Sequence, residues 1–187
     1  MDKEQIFYIQ KNLKKPISLV GMMGAGKSHS GRALAQTLNF EFYDSDQIIE
    51  EKAGQPITGI FKTFGEKKFR EAERNTILDL LSLKQSVIAT GGGAVTTPEV
   101  LSALKKDSLM VWLSPDLQTL WERVQKSQSR PLLQAENPWG KLERLMEERL
   151  PLYEQAHIRL EIRGDSQSRV MDDLIKALYD FVNKDTV

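Results

Sequence analysis

Gly21-Met22-Met23-Gly24-Ala25-Gly26-Lys27-Ser28 places Gly21 and Gly26 around four residues and follows them directly with Lys and Ser, which is a phosphate-loop pattern. Immediately before it, Pro16-Ile17-Ser18-Leu19-Val20 is a short apolar run of the kind that forms a buried strand. Immediately after it, Ala33, Leu34 and Leu38 recur at the spacing of one helix face. Strand, glycine loop and helix together supply the context in which the pattern has a mechanism. Glycines let backbone N–H groups converge on phosphate oxygens, and a helix N-terminus adds partial positive charge. Gly24, Ala25 and Gly26 contribute the backbone of such a cradle, with Lys27 placed to reach β- and γ-phosphates and Ser28 to offer its hydroxyl to Mg²⁺. The bland alternative is a glycine-rich turn before an ordinary helix. The full match in this context favours a nucleoside triphosphate site.

The rest of the composition narrows the class. A chain of 187 residues, 40% hydrophobic, fits one soluble α/β domain spanning 1–187. Lys plus Arg and Asp plus Glu are 26 each, so no long-range field draws the chain to nucleic acid or to an anionic membrane. With no Cys, disulfides, thiol nucleophiles and Cys-ligated zinc are all excluded. The two histidines, His29 and His157, are too far apart in sequence to suggest a metal cluster. No apolar stretch reaches membrane-span length, and residues 1–15 lack the apolar block of a signal peptide, so a cytoplasmic protein is expected.

Apolar or β-branched runs at 17–20, 40–43, 87–89, 109–113 and 158–162 read as buried strands. Helical periodicity fills 27–38, 47–52, 57–83 with a break near Gly65, 98–104, 117–124, 139–155 and 169–183. Strands separated by helices predict a mainly parallel sheet covered on both faces, with ligands outside the strands' carboxyl ends. The polar stretch 125–138, with Arg130-Pro131 and Asn137-Pro138, reads as a lid that excludes water or as a solvated excursion.

Two of the segments that follow strands carry candidate chemistry. In Tyr43-Asp44-Ser45-Asp46, residues two apart on an extended segment point the same way, so both carboxylates can face one cleft. Asp44 suits the water shell of Mg²⁺, and Asp46 is then placed to accept a proton from a hydroxyl nucleophile. Alternatively the pair is a loop in which Asp46 caps the next helix. Gly91-Gly92-Gly93 is explained equally by close approach of a ligand or by a tight turn against a helix. Arg70, among Glu66, Lys67, Lys68, Glu71, Glu73 and Arg74, reads as part of a solvated face. Spacing alone does not single out Arg70, Arg130 and Arg149 from the other arginines.

Taken together, the motifs Gly21 to Ser28, Asp44-Ser45-Asp46, Phe69-Arg70, Gly91-Gly92-Gly93, Arg130-Pro131-Leu132-Leu133 and Arg149-Leu150-Pro151-Leu152-Tyr153 resemble those of the shikimate kinase family, in order and spacing over about 17–162. The resemblance implies a P-loop core like that of nucleoside monophosphate kinases: three α/β/α layers with a five-stranded parallel sheet in the order 2-3-1-4-5 and a lid. It also implies transfer of the ATP γ-phosphate, with Mg²⁺, to the 3-hydroxyl of shikimate by a monomer. By position, Asp46, Lys27 and Arg130 resemble the catalytic set and Ser28 and Asp44 the metal site. Asp46, Arg70, Gly91, Gly92, Gly93 and Arg149 resemble the acceptor site within and beyond a substrate region at about 45–75. Arg123 corresponds to the residue that packs on adenine, and 164–169 to a turn on its other side. His29 stands where the family usually has Thr, either as a titratable group near the phosphates or as a replacement whose backbone N–H still acts. Kinases for other carboxylated polyols such as gluconate, and a nucleotide-binding module without catalysis, are the competing readings.

Overall fold

The computed structural model describes residues 2–125, 136–163 and 166–184. Five parallel strands, β1 (Ile17–Val20), β2 (Glu41–Asp44), β3 (Ser86–Ala89), β4 (Leu109–Pro115) and β5 (Ile158–Ile162), form one sheet in the order β2-β3-β1-β4-β5. The expected architecture and strand order are therefore those observed. β1, β3 and most of β4 are buried along their whole length, as continuous apolar runs require in a sheet covered on both sides. Helices α1 (Lys3–Asn12), α2 (Lys27–Leu38) and α8 (Gln167–Lys184) pack together on one face. The opposite layer is built from α4 (Ile57–Leu80), α5 (Pro98–Asp107), α6 (Leu117–Gln125) and α7 (Pro138–Tyr153), with a short 3-10 turn at Ala94–Thr96. α3 (Ser45–Ala53) and the start of α4 form an arm with its own small core of Ile49, Ile60 and Phe69.

Local chemistry moves several expected boundaries. Asn39 takes a left-handed conformation (φ 51°) to end α2, which leaves Phe40 as connection. The ladder therefore starts with Glu41 N–H donating to Gln85 O at 3.0 Å, and β2 extends to Asp44 rather than ending at 43. β4 continues to Pro115 because β5 pairs alongside it to Ile162. The break expected near Gly65 is a kink at φ 78°, ψ 170° within α4. Residues 1–15, given no element from sequence, contain α1: Asp2 caps it through Glu4 N–H, Ile9 is fully buried, and Tyr8 meets Tyr179 of α8 edge-on at 5.3 Å.

Strand order positions the site. Leu19, Ala89 and Asp44 lie level across three adjacent strands. The loop after β1, the glycines after β3 and the acidic turn after β2 consequently emerge side by side at one edge.

Candidate active site

The phosphate loop is shaped by backbone conformations that favour glycine. Gly21 (φ 140°) and Gly24 (φ 81°) lie in that region, and a Cβ on either would come within 2.5 Å of Leu113 O or 2.9 Å of Val124 Cγ2. α2 then begins without a side-chain cap and without an acid in its first turn, so its leading N–H groups and dipole are left for an anion. Buried Lys27 folds over the loop, its Nζ donating to Gly21 O at 2.8 Å and Met22 O at 2.9 Å. Ser28 Oγ donates to Asp44 Oδ2 at 2.5 Å, and His29 is exposed on the same turn. Arg123, from α6, stands against the loop and donates to Gly24 O at 3.4 Å.

The two acids converge, though by a different geometry from the expected extended pair. Asp44 ends β2 and is itself the cap of α3, accepting from Asp46 N–H at 3.0 Å and Gln47 N–H at 3.3 Å. Asp46 is not the cap: it belongs to the first turn of α3 and turns its carboxyl inward. Burial, followed by the negative charges of Glu73 and Asp44, pushes that carboxyl up to about 6, with Lys27 opposing the shift. Among the described residues, Asp46 Oδ1 and Glu73 Oε1 are the buried side-chain polar atoms without a hydrogen-bond partner. Both face Gly91, where a Cβ would lie 2.7 Å from Asp46 Oδ1 and 2.5 Å from Glu73 Oε1.

The triple glycine thus admits the protein's own side chains. A Cβ on Gly93 would meet both terminal nitrogens of Arg70 at 2.6 Å, while Gly91 N–H donates to buried Ser45 Oγ at 3.1 Å. Arg70 is not simply part of a solvated face. Its Nη1 donates to Glu73 Oε2 at 2.7 Å, and Glu73 is 1% exposed. Burial raises the Glu73 carboxyl, with Arg70 pulling it back. Arg149 Nη1 donates to Gly92 O at 3.2 Å, so guanidinium groups from α4 and α7 border the same glycines. Arg130, most of the expected lid and residues 164 and 165 lie outside the described residues.

Sequence reasoning missed Glu73 and Tyr153 as site residues. A signal for the first exists: Glu73 interrupts the buried stripe of Phe69, Thr76, Ile77 and Leu80, where an acid needs a partner. Tyr153 stands one helical turn after Arg149, hence on its face of α7.

Comparison with known proteins identifies the family. The family model described as shikimate kinase matches residues 23–179. A shikimate kinase of Legionella pneumophila (strain Corby) is 45% identical over 164 residues, 87% of this chain and 94% of the relative. One from Bartonella henselae is 39% identical over 169 residues, 90% of this chain and 80% of the relative. The structure of shikimate kinase from Acinetobacter baumannii in complex with shikimate is 38% identical and overlays with a TM-score of 0.85, covering 95% of this chain and 99% of that one. A gluconokinase from Sinorhizobium meliloti, 15% identical with a TM-score of 0.58 over 90% of this chain and 94% of its own, shares the fold alone. Matched by the family model over residues 23–179 and by relatives 39–45% identical over most of its length, the chain belongs to the shikimate kinase family.

Proposed function

We propose that this protein transfers the γ-phosphate of ATP to the 3-hydroxyl of shikimate, giving shikimate 3-phosphate and ADP on the chorismate route. The observation that carries the reading is the meeting of two guanidinium groups, Arg70 and Arg149, at Gly92 and Gly93, beside a buried carboxylate and one strand from the phosphate loop. Paired guanidiniums suit a planar carboxylate through bidentate bonds, and the structure of the Acinetobacter relative is of a complex with shikimate.

Phosphoryl transfer needs positioning and charge neutralisation more than covalent chemistry. Lys27 exchanges its bonds to Gly21 O and Met22 O for the β- and γ-phosphates, and the uncapped start of α2, including the His29 N–H, holds the remaining phosphate oxygens. Arg123 flanks the adenine. Arg130 neutralises charge on the transferring group. Asp46 accepts the proton of the 3-hydroxyl; raised to about 6, it is ionised at neutral pH yet more basic than an ordinary carboxylate. Glu73 orients Arg70, and Gly91, Gly92 and Gly93 leave the space these groups occupy.

The oxygens of Ser28 and Asp44, 2.5 Å apart beside the loop, fit a hard cation. Mg²⁺ dehydrates reluctantly and is carried largely by phosphates and water, so one hydroxyl and one carboxylate suffice from the protein. Mg²⁺ would supply charge neutralisation across the phosphates. The working unit is a monomeric, single-domain cytoplasmic enzyme acting without nucleic acid or membrane. Balanced charge supports action without nucleic acid or an anionic membrane. Among the described residues, no helix is long and apolar enough to cross a membrane.

ADP release with Mg-ATP and shikimate, gluconate or no acceptor tests the reading. Turnover with shikimate alone is expected, and equal rates under all three conditions would sink it.

A further inference from the structure

We propose that Tyr153 is a positioning residue whose hydroxyl fixes the acceptor-side glycines and frees Arg149 for substrate, an inference that rests on the acceptor reading above. Tyr153 ends α7 and is 2% exposed. Its ring stacks on Trp112 of β4, with centroids 5.8 Å apart and planes at 19°. This fixes the ring from the sheet side and aims the hydroxyl between two loops. That hydroxyl donates to Gly92 O at 2.6 Å and lies 3.7 Å from the sulfur of Met22, a phosphate-loop residue. Gly92 also packs on the phosphate loop, since a Cβ there would come within 3.1 Å of Met23 N.

The Gly92 carbonyl has a second donor, Arg149 Nη1 at 3.2 Å. A hydroxyl at 2.6 Å is the shorter bond, so the carbonyl keeps a partner when Arg149 turns to a carboxylate. Burial holds the phenol up at about 12 against the charge and hydrogen bond of Arg149, so the hydroxyl stays a donor to Gly92 O throughout the neutral range while its oxygen accepts from Arg149. Remove that hydroxyl and Arg149 alone satisfies Gly92 O, with its guanidinium held back from substrate.

Tyr153→Phe keeps the stack on Trp112 and deletes only the hydroxyl. Acceptor KM should rise about five- to tenfold while kcat changes less than about threefold, and the ATP dissociation constant without acceptor should stay within about twofold. In the unliganded chain, amide exchange over residues 91–94 should accelerate about tenfold. Wild-type acceptor KM in the Phe variant would overturn the proposal, because the ring alone would then matter. Equal losses for both substrates with a lowered Tm would also overturn it, as a general packing effect. Should the wild-type chain release no ADP with shikimate, the acceptor reading fails, and the exchange measurement still decides the role of Tyr153: unchanged protection refutes it.

Discussion

Asp46 keeps its Oδ1 unpartnered beside the buried, equally unpartnered Glu73 Oε1, an arrangement that stabilises neither the carboxylate nor the fold. Because its folded-state pKa is raised from 3.8 to about 6, the folded chain retains a proton that the unfolded chain has released between those values. Stability from this group therefore falls as pH rises through that window. Asp46→Asn should abolish turnover with little change in ATP binding, yet stabilise the fold at pH 7 by about 1–2 kcal/mol and not at pH 4. Calorimetry at the two pH values, beside a kinetic assay, checks both halves, and near-normal kcat would remove the base assignment. Glu73→Gln removes a like charge from Asp46 and the anchor of Arg70. The acid limb of kcat/KM should move to lower pH, and shikimate KM should rise about tenfold; a pH profile of both parameters reads the two effects separately.

At the scale of elements, the glycines after β3 separate two kinds of close packing. A methyl on Gly93 meets the mobile end of Arg70, whereas a methyl on Gly21 meets the backbone oxygen of Leu113 at a positive φ. Gly93→Ala should therefore raise shikimate KM by about tenfold with a Tm within about 2 °C of wild type. Gly21→Ala should cost more than about 2 kcal/mol in stability. Paired thermal melts and acceptor titrations distinguish the two. Glycine conformation was legible at Gly21 from the motif, but not at Gly93, because the side chain requiring its space comes from α4, 23 positions away in the chain.

Across the whole molecule, α1 seals the layer formed by α2 and α8. Ile9 and Leu13 join the main core, and Gln10 Nε2 donates to Leu38 O at 2.8 Å. Deleting residues 1–13 should lower Tm by at least about 5 °C while leaving catalytic constants at low temperature within about twofold, since side chains of α1 grip Leu38, at the end of α2 away from the phosphate loop, and Tyr179 of α8. A melt and a rate measured well below it test this, and an intact Tm would mean that α1 contributes no packing energy. The deletion also bears on how much of the molecule can be read in one dimension. Hydrophobic period and the GxxxxGKS spacing are local properties, so the phosphate loop, the strand series and the kink at Gly65 were readable directly, and the ordered motifs supplied the family and its strand order. What residues do across strands is not local. The meeting of Glu73 with Asp46 at Gly91 and the grip of Tyr153 on Gly92 join residues of α3, α4 and α7 to the glycines after β3, and they exist because the sheet brings the carboxyl ends of its strands to one edge. The sequence by itself determined the nucleotide loop and the class of fold, since each rests on the periodicity and conformational preferences of neighbouring residues. Only the tertiary structure decided which acids and arginines share a charge environment, since burial and electrostatic coupling depend on distance in space.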